Sequence, residues 1–189
     1  MTTEYPVLQG MRKPRRLVEG ARYHVVARAN RREFILESPA VKTMLLDIVA
    51  RARKRFRFSV DTLCIMDNHI HILLWPGRGE SLSRIMQWVL SVFARRFNRL
   101  IGVNGHVWYD RFKSVVVRTL SQFVHAYTYI AENPVRAQMI NRASDYRFGS
   151  EGVRRFGPPG ILDPPGSLAV LLLGEPDSID RLLPTLPWQ

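Results

Sequence analysis

Apolar and polar positions divide the chain into short runs of two periods. Tyr23-His24-Val25-Val26-Ala27-Arg28-Ala29 is rich in β-formers and predicts a first strand, with Asn30-Arg31-Arg32 as a basic connection after it. Ser38-Pro39 then marks a helix start, Ser as the cap and Pro at the first helical position. Val41, Leu45, Ile48, Val49 and Ala52 recur at helical spacing, so that helix runs to about Arg55. Phe58 to Met66 predicts a second strand. Asp67-Asn68 is turn chemistry, and the run His69-Ile70-His71-Ile72-Leu73-Leu74-Trp75 returns as a third strand in an antiparallel hairpin. After the break at Pro76-Gly77-Arg78-Gly79, Ser81 caps a second helix to about Asn98. Its buried stripe is Leu82, Ile85, Met86, Val89, Phe93 and Phe97, and its polar side is Arg84, Gln87, Ser91, Arg95 and Arg99. Ile101 to Asp110 is loop-like, and Phe112 to Arg118 gives a fourth strand. Ser121 opens a third helix, Gln122 to about Glu132, with Pro134 expected to disrupt or restart helical pairing and Val135 to Ile140 open to continuing as a further turn.

The order β-α-β-β-α-β, then a helix, predicts an α+β fold: a ferredoxin-like four-stranded antiparallel sheet. Two helices cover one face. The other face stays open and holds the chemistry, with the last helix on that side. Residues 1–20 are a basic arm, 21–150 the folded domain, and 151–189 a Pro/Gly-rich tail in which Leu168 to Leu173 packs back on the domain.

Charge changes the picture most. Lysine plus arginine is 28 and aspartate plus glutamate 16, a net charge of +12. Only residues 13, 42, 54 and 113 are lysine, which leaves 24 arginines. The planar guanidinium matches phosphate oxygens at two points, so a polyanion, and nucleic acid first, is the expected partner. No apolar run approaches the roughly 20 residues of a membrane span, so no membrane partner is expected. A lone cysteine, Cys64, set among Leu63, Ile65 and Met66, reads as a small core residue and fits a reducing cytoplasm.

Candidate chemistry begins at the third strand. Successive strand side chains point to opposite faces, so His69 and His71 share one face while Ile70, Ile72 and Leu74 share the other. The imidazoles can present nitrogens to one divalent cation, or serve as hydrogen-bonded residues of a half-buried sheet. Tyr129 and Asn133 lie four apart and share a helix face if helical geometry persists. A phenol is a possible nucleophile toward a phosphodiester, and an amide oxygen an acceptable ligand for Mg²⁺ or Mn²⁺. His24, His106 and His125 lack a spacing that adds them to the ligand set, and no general base for Tyr129 is apparent. Phosphate-track candidates are Arg12, Lys13, Arg15, Arg16, Arg31, Arg32, Arg111, Lys113 and Arg118. Trp108 is a candidate for base stacking, though a structural role serves it equally well.

Four motifs resemble a known family. They are the opening Tyr23-His24-Val25 with Asn30-Arg31-Arg32, the His69-Ile70-His71 strand, the segment Gly105 to Ser114, and Tyr129-Ile130-Ala131-Glu132-Asn133-Pro134. Together, over roughly residues 12–150, they are similar to the IS200-like single-tyrosine transposases, in particular the branch of bacterial REP-associated tyrosine transposases. Ala29 departs from the pattern where glycine is expected. The resemblance implies that His69, His71 and Asn133 bind a metal and that Tyr129 is the nucleophile. It also implies that the substrate is single-stranded DNA beside a hairpin, cut to leave a 5′-phosphotyrosine. A monomer or homodimer in the bacterial cytoplasm, on the nucleoid when DNA-bound, is expected.

Two other readings remain open at this point. One is a binding module that grips hairpin DNA or RNA without cutting, although no strand is aromatic-rich in the manner of RNA-recognition domains. The other is a His-x-His metallohydrolase, which needs further ligands.

Overall fold

A computed structural model describes Val18 and residues 20–163. The basic arm residues Arg12, Lys13, Arg15 and Arg16 and the segment Leu168 to Leu173 lie outside the described residues. Four strands, β1 (Arg22–Arg28), β2 (Phe58–Ile65), β3 (His69–Pro76) and β4 (Lys113–Val117), form one antiparallel sheet in the order β2-β3-β1-β4. Helices α1 (Pro39–Arg55) and α2 (Leu82–Ile101) provide the two crossings, so the expected ferredoxin-like topology is present. No described helix is long and apolar enough to cross a membrane.

Register assigns each face. Tyr23, Val25 and Ala27 of β1 stand opposite Leu74, Ile72 and Ile70 of β3. On β2, Ile65 and Leu63 stand opposite Ile70 and Ile72. All of these are buried, and with the α1 and α2 stripes they make the main core. Phe93 of α2 is fully enclosed, stacked on Phe97 with ring centroids 5.8 Å apart. Helix α2 starts where expected, with the Ser81 side chain accepting from the Arg84 N–H. It ends at Gly102, whose φ of 70° places it in the left-handed region that a residue without Cβ adopts freely.

The opposite face carries His24, Val26 and Arg28 of β1 beside Leu73, His71 and His69 of β3. It is not open. Helix α3 (Leu120–Arg136) lies over it, and His71 retains only 4% of its surface. This helix also differs from expectation at both ends. Thr119, not Ser121, caps it, because Thr119 and Gln122 satisfy each other's backbone N–H in a capping box. At the far end α3 runs through Pro134 to Arg136. Proline removes one helical donor and crowds the carbonyl four residues back. Beside that break the Asn133 side-chain amide donates to the Tyr129 carbonyl at 2.9 Å, and Ala137 N–H closes the turn on Asn133 O.

The packed body also extends past residue 150. A short helix α4 (Ser150–Phe156) begins there, and the segment from Tyr146 to Asp163 covers the outer edge of β2. Ile65 N–H donates to Phe148 O, and Ser150 Oγ bonds both Leu63 N–H and Leu63 O at 3.1 Å. Asp163 accepts from Val60 N–H and from the Arg53 guanidinium. An edge strand with bare backbone groups needs such cover. The prolines and glycines that thicken after residue 150 obscured it in the sequence.

Candidate active site

Each chemistry-bearing side chain is placed by a simple local rule. Asp67-Asn68 forms a two-residue hairpin turn closed by Met66 N–H to His69 O at 2.9 Å, which sets the phase of β3. That phase directs His69 and His71 away from the main core, and their rings lie 4.9 Å apart, edge to face. Helical continuity through Pro134 keeps Tyr129 and Asn133 on one side of α3. The Tyr129 ring lies 5.6 Å from His71, and Asn133 lies close enough to His69 to act on its imidazole. A strand pair and a helix more than forty residues later in the chain thus meet at one point. His69, His71, Tyr129 and Asn133 are brought together here.

Both imidazoles are neutral at ordinary pH. Burial, reinforced by the Arg28 charge, lowers the His69 pKa to about 4; the nearby Asn133 side chain and the Asp67 charge pull the other way. Burial, then the neighbouring His69, His24 and Arg28, lowers His71 to about 3. A neutral imidazole keeps a lone pair for a metal. His69 Nδ1 is held by Asn68 Oδ1 at 2.6 Å and His71 Nδ1 by His24 Nε2 at 2.9 Å, which leaves the Nε2 atoms as the candidate donors. Asn133 spends its Nδ2 on the Tyr129 carbonyl, so its Oδ1 is the third candidate. Among the described residues there is no cluster of three His, Cys, Asp or Glu able to hold a metal.

Four residues of the site escaped the sequence reading. His24, on β1, contacts both His71 and Tyr129, with centroids 5.1 and 5.8 Å away. His125, one helical turn before Tyr129, stacks near it at 6.4 Å. The Arg136 guanidinium sits 5.5 Å over the Tyr129 ring. Arg28 pairs with His69 across the sheet. His125 and Arg136 were readable from helical spacing; His24 and Arg28 required the β1–β3 register.

The expected phosphate-track residues divide. Lys113 stands opposite Val26, itself opposite His71, so it flanks the site on the same face two strands away. Arg31 and Arg32 occupy a short exposed turn that Asn68 Nδ2 ties to the hairpin through Arg32 O. Arg118 is exposed where β4 hands over to α3. Trp108 and Arg111 do not join this group. Both line a cleft of about 760 Å³ against α2, and the Trp108 indole N–H is bound to Leu90 O at 3.0 Å.

Compared with known proteins, residues 17–133 match the family model described as "Transposase IS200 like". Among solved structures, the chain is similar to a REP-associated tyrosine transposase bound to a REP hairpin. The two are 21% identical with a TM-score of 0.62, over 74% of this chain and 82% of that one. A proposed transposase of Deinococcus radiodurans R1 is 19% identical over 68% of this chain and 92% of its own, with a TM-score of 0.45. No curated protein sequence matches.

Proposed function

The chain belongs to the IS200-like transposase family, and from that premise we propose that it cuts and rejoins single-stranded DNA through Tyr129 with a divalent cation, Mg²⁺ or Mn²⁺, held by His69, His71 and Asn133. The observation that carries the reading is convergence. Two neutral imidazoles, an amide and a phenol from distant parts of the chain share one small volume on a basic surface. The donor set fits such a cation: two imidazole nitrogens and one oxygen, with the remaining coordination positions left to water or phosphate.

A bound cation supplies Lewis-acid polarisation of a non-bridging phosphate oxygen. The chain supplies the rest. Tyr129 Oη attacks phosphorus, the bond from phosphorus to the 3′ oxygen breaks, and the 3′ oxygen leaves as a hydroxyl after taking a proton. The 5′ phosphate stays on Tyr129 as a phosphodiester, so its bond energy is kept for rejoining without a nucleotide cofactor. His125 stacks near the attacking phenol and the Arg136 guanidinium lies over its ring, so both side chains flank Tyr129 where the phosphate must approach. Arg28, Lys113, Arg31 and Arg32 hold the phosphate chain across the site. Because Tyr129 meets the histidines of its own chain, the geometry supports cleavage in cis, by a monomer or by each half of a dimer independently. The hairpin bound by the similar REP-associated enzyme favours single strands beside a hairpin as substrate. Acting on chromosomal repeats places the protein in the bacterial cytoplasm, on the nucleoid while bound. The catalytic body on this reading spans residues 21–163, with a basic arm before it.

The test is a denaturing gel of the full chain incubated with 5′- or 3′-labelled hairpin DNA and Mn²⁺. The expected result is a covalent adduct carrying the 3′-labelled fragment, absent from Tyr129→Phe. Hairpin binding with no adduct from the native chain refutes cleavage and leaves a binding module.

A further inference from the structure

We propose that His24 is a positioning residue that fixes His71 in the one tautomer able to ligate a cation. The inference rests on the metal reading above. His24 Nε2 and His71 Nδ1 are 2.9 Å apart, so one of these nitrogens carries a proton and the other accepts it. Two arrangements satisfy this contact. In one, His24 Nε2–H donates to His71 Nδ1; His71 then carries its proton on Nε2 and has no lone pair left for a cation. In the other, His71 Nδ1–H donates to His24 Nε2, the His24 proton sits on Nδ1, and His71 Nε2 is a ligand. Only the second is compatible with metal binding, and it assigns a proton position to both rings.

His69 shows why the contact matters. Its Nδ1 faces the Asn68 side-chain oxygen at 2.6 Å, an acceptor only, so that ring is fixed with Nε2 unprotonated whatever else is bound. His71 is almost fully enclosed and its Nδ1 contacts His24 Nε2, so His24 is the group that performs the same service. Neutral imidazole in water prefers the proton on Nε2, the wrong atom here. Without His24 the ring reverts to that form, or leaves a buried N–H without an acceptor. Partners that orient a metal-bound histidine in this way typically account for about 10–100-fold in metal affinity.

The experiment compares the full native chain with His24→Phe and His24→Gln. Glutamine keeps a side-chain oxygen able to accept from His71 Nδ1–H; phenylalanine keeps bulk and loses the acceptor. Mn²⁺ affinity is read from the electron paramagnetic signal of the free ion, and ring tautomers from long-range proton–nitrogen NMR with Mg²⁺. The expected result is about 10–100-fold weaker Mn²⁺ binding in His24→Phe, most of it regained in His24→Gln, with both His24 and His71 protonated on Nδ1 in the native chain. Equal losses in the two variants, or both rings protonated on Nε2 with Mg²⁺ bound, overturn the proposal. Mn²⁺ binding that requires His69 but is unchanged in His24→Phe overturns the positioning role alone. Mn²⁺ binding that survives His69→Ala overturns the metal reading and the positioning role together.

Discussion

Acid should weaken the fold through the same two histidines that make the site. Their folded pKa values are lowered, to about 4 for His69 and about 3 for His71, against 6.5 for an exposed imidazole. The unfolded chain therefore takes up these protons first as pH falls. Stability is full above pH 6.5, declines below it, and stops declining from this source only below the folded values. His71 is the cleaner of the two because it is nearly enclosed. Each unmatched proton costs about 1.4 kcal/mol per pH unit, so at about pH 4.5 the His71 share has reached roughly 3 kcal/mol. His71→Gln removes that share. Urea unfolding followed by circular dichroism at pH values from about 7.5 to 4.5 should show the native free energy falling more steeply, the gap widening by about 1.4 kcal/mol per unit below 6.5. Asp61, whose carboxyl is pushed up by burial against the opposing pull of Arg22, contributes with the opposite sign but cancels between the two proteins. Parallel pH profiles for native and variant refute the enclosed, neutral state of His71, and with it the availability of its lone pair.

Three further outcomes are expected from the scaffold. Ser150→Ala orphans the buried N–H and C=O of Leu63 and should cost about 1–3 kcal/mol, read as a lower melting temperature. Phe93→Ala empties the centre of α2's packing and should cost about 3–5 kcal/mol in urea unfolding. Gly152→Ala places a methyl group against the backbone of Tyr146 and Arg147; it should lift α4 from β2 and raise amide exchange at Leu63 and Ile65, with no such change for an alanine at exposed Arg155.

Much of this was legible because period and register are local. The alternation His69-Ile70-His71-Ile72 fixes which side chains share a face whatever the rest of the chain does. The Asp67-Asn68 turn and the α2 stripe are equally self-contained. What escaped needs long-range information. No spacing relates His24 to His71, 47 residues away; only the pairing of Val26 with His71 brings β1 alongside. Ser150, whose hydroxyl serves the backbone of a strand 87 residues earlier, has no local signature at all. Pro134 misled for a different reason: its helix-breaking tendency is real, but α3 packs on both sides of it, and the neighbouring Asn133 gives the Tyr129 carbonyl a second donor.

On the proposed reading, the donor set would make such a site selective for phosphate without a carboxylate. Two imidazoles and one amide bring no negative charge to a cation, while Arg28 and Arg136 stand close by. On the proposed reading the free chain is a poor host for Mg²⁺, which dehydrates reluctantly and favours anionic oxygens. A DNA phosphate supplies the missing charge, neutralises the arginines, and meets the cation at the atom that must be polarised. Cation and substrate then bind with positive coupling, each raising the other's affinity by the same factor. A carboxylate in place of Asn133 would tighten the cation alone and compete with the phosphate for it. On that reading the amide is the ligand that leaves the charge deficit for the substrate to fill.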